Sequence, residues 1–305
     1  MDPRQAAEVW ERLIGGRSLE RLGLRVKAGL VDLRGLVAPE PTAVRRYITA
    51  SADVRELGEL IVIRGAHWKG IDFSGARLPS LRFFDSTIEY CSFEGAKCQD
   101  WRMWGTTILN TSFCSADLRK AALGGVENGK RNLFRAVDFT KADLRQTAYI
   151  SCDMISCRFV ETKLSKVDFQ GTVFVNCTFE GALDSVLFYR QAFRGEAFPA
   201  NEMRGVDLRR ATLRHVEFRG LDMSEVQWPE GEDHLVVDDY SATLDRALHA
   251  LKGRTDLASK KLGMVLGMKR KWAGPHQKRG VLSKPDLVEA GGAETVTELL
   301  RAIGA

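Results

Sequence analysis

The sequence contains no apolar run long enough to cross a bilayer. Its start, Met1-Asp2-Pro3-Arg4-Gln5, lacks the basic residues followed by an apolar stretch that mark a secretion signal. A cytoplasmic chain without a membrane partner is the expectation. Charge of one sign is also missing: 45 Lys and Arg stand against 40 Asp and Glu, a formal +5 over 305 residues. The six cysteines include no CxxC pair, and His67, His215, His234, His249 and His276 show no HxxxH or HExxH spacing, so neither a metal site nor a disulfide framework is expected. Gly15-Gly16 and Gly124-Gly125 lack the downstream Lys-Ser/Thr of a phosphate loop. With no catalytic constellation, no cofactor and no enzymatic activity are expected.

What the chain does have is a period of five. Read from Ile63, large apolar residues fall at Trp68, Phe73, Leu78, Phe83, Ile88, Phe93, Cys98, Met103, Ile108, Phe113, Leu118 and Leu123. Self-similarity at a short fixed period identifies a solenoid. The register slips by one residue through Val126 to Arg131 and resumes at Phe134, Phe139, Leu144, Tyr149, Met154, Phe159, Leu164, Phe169, Phe174 and Phe179. A compensating slip near Leu183 and Asp184 restores it for Phe188, Phe193, Phe198, Met203, Leu208, Leu213, Phe218, Met223 and Trp228.

Taking every fourth slot as one face predicts two apolar walls. One holds Phe73, Phe93, Phe113, Phe134, Met154, Phe174, Phe193 and Leu213; the next holds Leu78, Cys98, Leu118, Phe139, Phe159, Phe179, Phe198 and Phe218. Stacked at strand spacing, such rings bury apolar area and take offset geometries, so Phe73, Phe93, Phe113, Phe134, Phe139, Phe159, Phe174, Phe179, Phe198 and Phe218 are the expected structural core rather than a cofactor box.

Two residues before most slots sits a smaller residue, which shares the same face of an extended segment. Cys91, Cys152, Cys157 and Cys177 occupy such positions and Cys98 a large slot, so they read as small core residues. The residue between is often Asp, pointing outward, as in Ala116-Asp117-Leu118, Ala142-Asp143-Leu144 and Val206-Asp207-Leu208. Glycine recurs two positions after the slot, where a corner needs unusual backbone angles.

This pattern resembles the pentapeptide-repeat family, whose motif is a run of A(D/N)LXX units. Ala116 to Lys120, Ala142 to Gln146, Val206 to Arg210 and Ala211 to His215 match it best, and the resemblance covers roughly the central 170 residues. It implies an all-β solenoid core, a right-handed quadrilateral β-helix with four pentads per turn and about eight coils. Some bacterial members resemble duplex DNA in size and charge, bind type II topoisomerases such as DNA gyrase and protect them from poisons.

The ends are expected to be α-helical. Residues 1–60 lack the pentad register apart from a stray Val31-Asp32-Leu33-Arg34-Gly35; Gln5 to Ile14 has helical spacing, and a second helix is predicted from Thr42 through Ile48. This segment is expected to cap the coil of residues 61–230. In residues 231–305 helices are predicted around Tyr240 to Leu251, around Leu257 to Met268, and as a last pair holding Leu287 and Val296 to Ile303. Between Lys252 and Lys284 lie ten basic residues against the single acid Asp256. With Trp272, that stretch suits phosphate neutralisation on nucleic acid, or a solvated face balanced by Asp233, Asp238 and Asp239.

Candidate partner-binding residues follow from departures. Lys130 and Arg131 sit in the first slip and are expected to be exposed. Gln191, Glu196 and Asn201 fill small inward slots around Pro199, so the chain is expected to bulge there and carry them to solvent. Trp101 in a small slot beside Trp104 suggests another distortion, and Lys269, Arg270, Lys271 and Trp272 represent the basic tail. The leading functional expectation is a scaffold binding a protein partner. Two alternatives are a topoisomerase-binding DNA mimic and nucleic-acid binding by the tail. Residues 61–230 hold 23 basic against 21 acidic residues, which opposes mimicry. Dimerisation depends on whether the coil ends are covered.

Overall fold

The computed structural model describes residues 2–40, 60–191, 199–275 and 277–304. From Ile61 to Arg219 the chain forms short strands whose parallel partners lie one turn further on. Ile63 pairs with Phe83 and Phe83 with Met103, while Trp68 pairs with Ile88 and Ile88 with Ile108. Each step is twenty residues, so the chain is a β-helix solenoid over this stretch. Alternating side chains point inward and outward, giving strands such as Thr107–Leu109 a buried central residue between two half-buried ones. Corners sit two residues after the large slot, where Gly65, Gly75 and Gly95 take φ of 62°, 66° and 63°.

Inward side chains stack in columns. Phe73, Phe93, Phe113, Phe139, Phe159 and Phe179 follow one another at ring separations of 5.0, 4.8, 5.6, 5.1 and 4.6 Å. Each such ring is fully buried, worth about 1.5–3 kcal/mol by transfer from water. The small slots supply donors to the neighbouring coil: Thr162 Oγ1 donates to Phe139 O at 2.8 Å, Thr172 Oγ1 to Tyr149 O at 2.6 Å and Cys177 Sγ to Met154 O at 3.3 Å. Burial pushes the Cys91 and Cys152 thiols up to about 12, so both stay protonated.

The walls expected from slot counting need correction. Val126–Glu127 and Lys130–Arg131 form an antiparallel hairpin that leaves the coil. Ile108 therefore pairs with Phe134, twenty-six residues on, and Phe113 stacks on Phe139 rather than Phe134. The insertion is one whole pentad plus one residue. An extra pentad leaves the spacing of five intact, so counting along the chain registers only the remainder. Phe134 instead joins the column of Ile108, Met154 and Phe174. Later, Leu164 pairs with Leu183, nineteen residues on, and Phe188 stacks on Phe218, thirty residues on, at 5.2 Å. Phe193, Glu196 and Phe198 lie outside the described residues.

Two asparagines close these departures. Asn132, fully buried, accepts from the Thr106 N–H at 2.8 Å and donates to Met103 O and Leu123 O at 2.9 and 2.8 Å. Asn201 is also fully buried, accepting from the Phe174 and Met203 N–H groups at 3.1 and 3.0 Å, which corrects the expectation that it reaches solvent. At Trp101 no distortion occurs. The indole is fully buried and edge-on to Phe93 at 5.4 Å, and Arg82 still pairs with Arg102, twenty residues on.

At the N-terminal end α1 (Pro3–Ile14) starts at an Asp2 cap that accepts from Arg4 and Gln5 N–H groups. Its Val9, Trp10, Leu13 and Ile14 join the coil core, and Trp68 Nε1 donates to Leu13 O at 3.0 Å. Val31-Asp32-Leu33 is a genuine part of the coil: Val31 pairs in parallel with Ile71, forty residues on. The helix predicted from Thr42 falls outside the described residues.

At the other end Trp228 sits edge-on to Phe218 at 5.7 Å. The chain then forms His234–Val237, α2 (Tyr240–Leu251), α3 (Leu257–Trp272), Gly280–Ser283, α4 (Lys284–Gly291) and α5 (Ala293–Ile303). His234–Val237 and Gly280–Ser283 pair antiparallel. Val281 belongs to the coil core, whereas Leu282 belongs to a separate cluster with Leu244, Leu262, Leu266, Leu287 and Leu299. The tail thus has its own core and also covers the last coil. Among the described residues, no helix is long and apolar enough to cross a membrane.

Candidate partner-binding surface

α3 begins at Asp256, whose carboxylate accepts from the Ser259 N–H at 2.7 Å, and ends with Lys269, Arg270 and Lys271, a polarity that complements the helix dipole. Its inner face puts Leu262 and Leu266 into the tail core. Its outer face is unusual: Leu257, Met264 and Met268 are 68%, 72% and 49% exposed, interspersed with exposed Lys260, Lys261 and Lys271. α4 can approach α3 closely because Gly291 has no side chain; a Cβ there would stand 2.9 Å from Leu262 Cδ2.

The tail is fixed to the coil by two arginines. Arg214 Nε donates to Asp286 at 2.7 Å and its Nη2 to Glu289 at 2.6 Å, while the His215 N–H donates to the other Asp286 oxygen at 2.8 Å. Arg219 lies over the Trp272 ring at 4.2 Å and donates to Glu217 at 2.7 Å. His234 Nε2 accepts from the Leu213 N–H at 3.1 Å, and burial lowers its pKa below 6.5.

Between these anchors lies a groove of about 560 Å³. Met264, Val265 and Met268 form one wall, and Glu217, Asp286 and Glu289 contribute the facing carboxylates. All three acids are already bonded to Arg214 or Arg219. Lys269 also lines the groove; it is half-buried, and burial lowers its ammonium pKa against the opposing charges of Glu217 and Asp286.

The sequence-predicted candidates are scattered. Lys130 is exposed at the hairpin, 3.5 Å from Asp85. Arg131 is not exposed, contrary to expectation: it turns inward, donating to Ser151 O, Cys152 O and Gly171 O at 3.1, 2.6 and 3.2 Å. These carbonyls belong to coil segments beneath the hairpin, so its guanidinium ties the insertion down. Gln191 is exposed, at the edge of the described residues. Lys269 lines the groove, Arg270 donates to Asp245 at 2.8 Å, Lys271 is exposed and Trp272 is held under Arg219. The sequence reading missed Arg214, Arg219, Asp286 and Glu289, because nothing local links residues some seventy positions apart.

On the coil exterior the Asp-x-Arg units close on themselves. Asp117 with Arg119, Asp143 with Arg145 and Asp207 with Arg209 each form a two-pronged ion pair. The Arg209 hydrogen bonds hold the Asp207 carboxyl below its usual range against the opposing effect of burial. Among the described residues no cluster of His, Cys, Asp and Glu suits a metal ion.

The family model described as pentapeptide repeats (8 copies) matches residues 150–182, which bears out the resemblance. Similar solved structures include a trypsin-treated form of QnrB1, a plasmid-mediated fluoroquinolone resistance protein, at 14% identity, covering 62% of this chain and 91% of that one with a TM-score of 0.33. Another is HetL, a pentapeptide-repeat protein involved in heterocyst differentiation regulation from the cyanobacterium Nostoc, at 12% identity, 74% and 98% coverage and a TM-score of 0.22. A third is Rfr23 from the cyanobacterium Cyanothece, at 10% identity, 55% and 90% coverage and a TM-score of 0.25. No curated protein matches the chain.

Proposed function

We propose that the chain is a non-enzymatic scaffold: a right-handed, four-sided β-helix over residues 61–230, capped by residues 1–60 and presenting residues 231–305 as the docking surface for a protein partner. The twenty-residue pairing register supports four pentads per turn. The observation that carries the docking surface is the outer face of α3, where Leu257, Met264 and Met268 are exposed on a helix held to the coil by Arg219 over Trp272, beside α4, which Arg214 holds through Asp286 and Glu289. Large apolar side chains exposed along one face of a supported helix, among lysines, suit an interaction site.

The Asp-x-Arg pairing supports a protein partner over DNA mimicry, since its outward acids are neutralised within their own repeats. In the tail, Arg254, Arg270 and Arg279 are ion-paired with Glu298, Asp245 and Asp238, which takes three of the ten basic residues between Lys252 and Lys284 out of a free cationic patch. Affinity capture with the full chain and with a Met264→Glu, Met268→Glu variant tests the reading. Proteins retained by the first are expected to be lost from the second; an identical retained set would remove this surface from the account.

A further inference from the structure

We propose that the groove between α3, α4 and the last coils receives an acidic-apolar peptide segment of the partner protein, its carboxylate meeting Lys269 and its apolar side chain lying against Met264, Val265 and Met268. The inference rests on the scaffold reading above and adds the chemistry of what docks.

Charge complementarity selects the occupant. Three carboxylates face the groove, yet Asp286 and Glu289 are bonded to Arg214, and Glu217 to Arg219. Lys261 and Lys269 make no ion pair among the described residues. Arg214 carries one charge against two carboxylates, so Arg214, Arg219, Lys261 and Lys269 against the three acids leave the groove one net positive charge with His215 neutral. Glu217 and Asp286 act on the half-buried Lys269 ammonium only through space, and an arriving carboxylate that bonds it relieves part of the cost of its burial. Burial lowers the Lys269 pKa, as expected for an ammonium removed from water without a bonded counter-ion.

The apolar part of the occupant follows from the same helix, α3. Met264 and Met268 stand one helical turn apart on α3, and methionine adapts its shape to irregular side chains. A volume of about 560 Å³ holds a few side chains rather than a folded element. Leu257, two turns before Met264 and beyond the exposed Lys260 and Lys261, is exposed as well, so an extended segment gains contact beyond the groove itself. The fixed floor limits the ordering cost to the peptide.

The test is fluorescence anisotropy with the full chain and a short fluorescein-labelled peptide alternating leucine and glutamate, beside a counterpart with glutamine in place of glutamate. Saturable binding of the acidic peptide is expected, weakened about tenfold by the glutamine exchange and by Lys269→Gln, and retained in Lys269→Arg. Without peptide, the Tm of Lys269→Gln is expected to be no lower than that of the parent, which separates lost binding from lost folding. Equal binding of the two peptides, indifference to Lys269→Gln, loss of binding in Lys269→Arg, a lower Tm, or displacement of the peptide by a single-stranded oligonucleotide would overturn the proposal. Should the peptides fail while capture still depends on Met264 and Met268, only the groove chemistry is wrong; capture indifferent to both residues removes the scaffold surface itself.

Discussion

Asn132 and Asn201 occupy the small inward slot where the coil returns from each excursion, and both are fully buried. An excursion leaves backbone groups of the preceding coil without a main-chain partner, and an amide can accept and donate at once. Asn132→Ala strands the Thr106 N–H and the Met103 and Leu123 carbonyls; a loss of about 2–4 kcal/mol is expected in urea unfolding. A change below about 0.5 kcal/mol would show that water substitutes for the amide. His234 belongs to the same scale. Only its neutral ring can accept from the Leu213 N–H, and burial lowers its folded pKa. The stability it contributes is therefore complete above pH 6.5, its unfolded value, and is lost as the pH falls through the lowered folded one. Melting curves between about pH 7.5 and 5 are expected to show a fall in Tm that flattens in His234→Gln, whose side-chain oxygen accepts without titrating. Parallel profiles for the two proteins would contradict this.

The hairpin at 126–131 shows how an element is seated by residues outside it. Gly124 and Gly125 pass so close to the coil that a Cβ would stand 2.0 Å from Ile150 N and 2.6 Å from Met103 O. Gly124→Ala is expected to lower Tm by several degrees, as for a loss of about 1–3 kcal/mol by overpacking, whereas Gly129→Ala meets no neighbour and costs only the strain of its φ of 77°. Equal effects at the two sites would argue against close passage. This element also marks the limit of sequence reading. α1, the tail helices and the stray repeat at Val31 were legible because apolar spacing is local. The hairpin was visible as a break, but its length was not, since removing a full pentad leaves the period unchanged. Arg131 looked exposed because a charged residue in a polar stretch ordinarily is; its carbonyl partners lie as far away as Gly171. The pairing of His234–Val237 with Gly280–Ser283 was hidden by two helices between four-residue strands.

At the scale of the molecule, the groove and its anchors arise only when the coil end and the tail meet, which is why Lys269 was picked out merely as one of a basic run. The neutralised exterior leads to a direct expectation: in a gyrase supercoiling assay, the protein neither inhibits the enzyme nor protects it from a quinolone. Inhibition or protection would restore the mimicry reading. All of these expectations depend on the coil register, and Ser112 with Asp138 tests it most directly. The two are paired across neighbouring coils and face outward beside the buried Phe113 and Phe139. A Ser112→Cys, Asp138→Cys variant treated with the short thiol cross-linker dibromobimane is expected to give the fluorescent bridged product. Ser112→Cys with Leu133→Cys, the pairing a one-residue slip would require, is expected to give none, and the opposite result would contradict the fold.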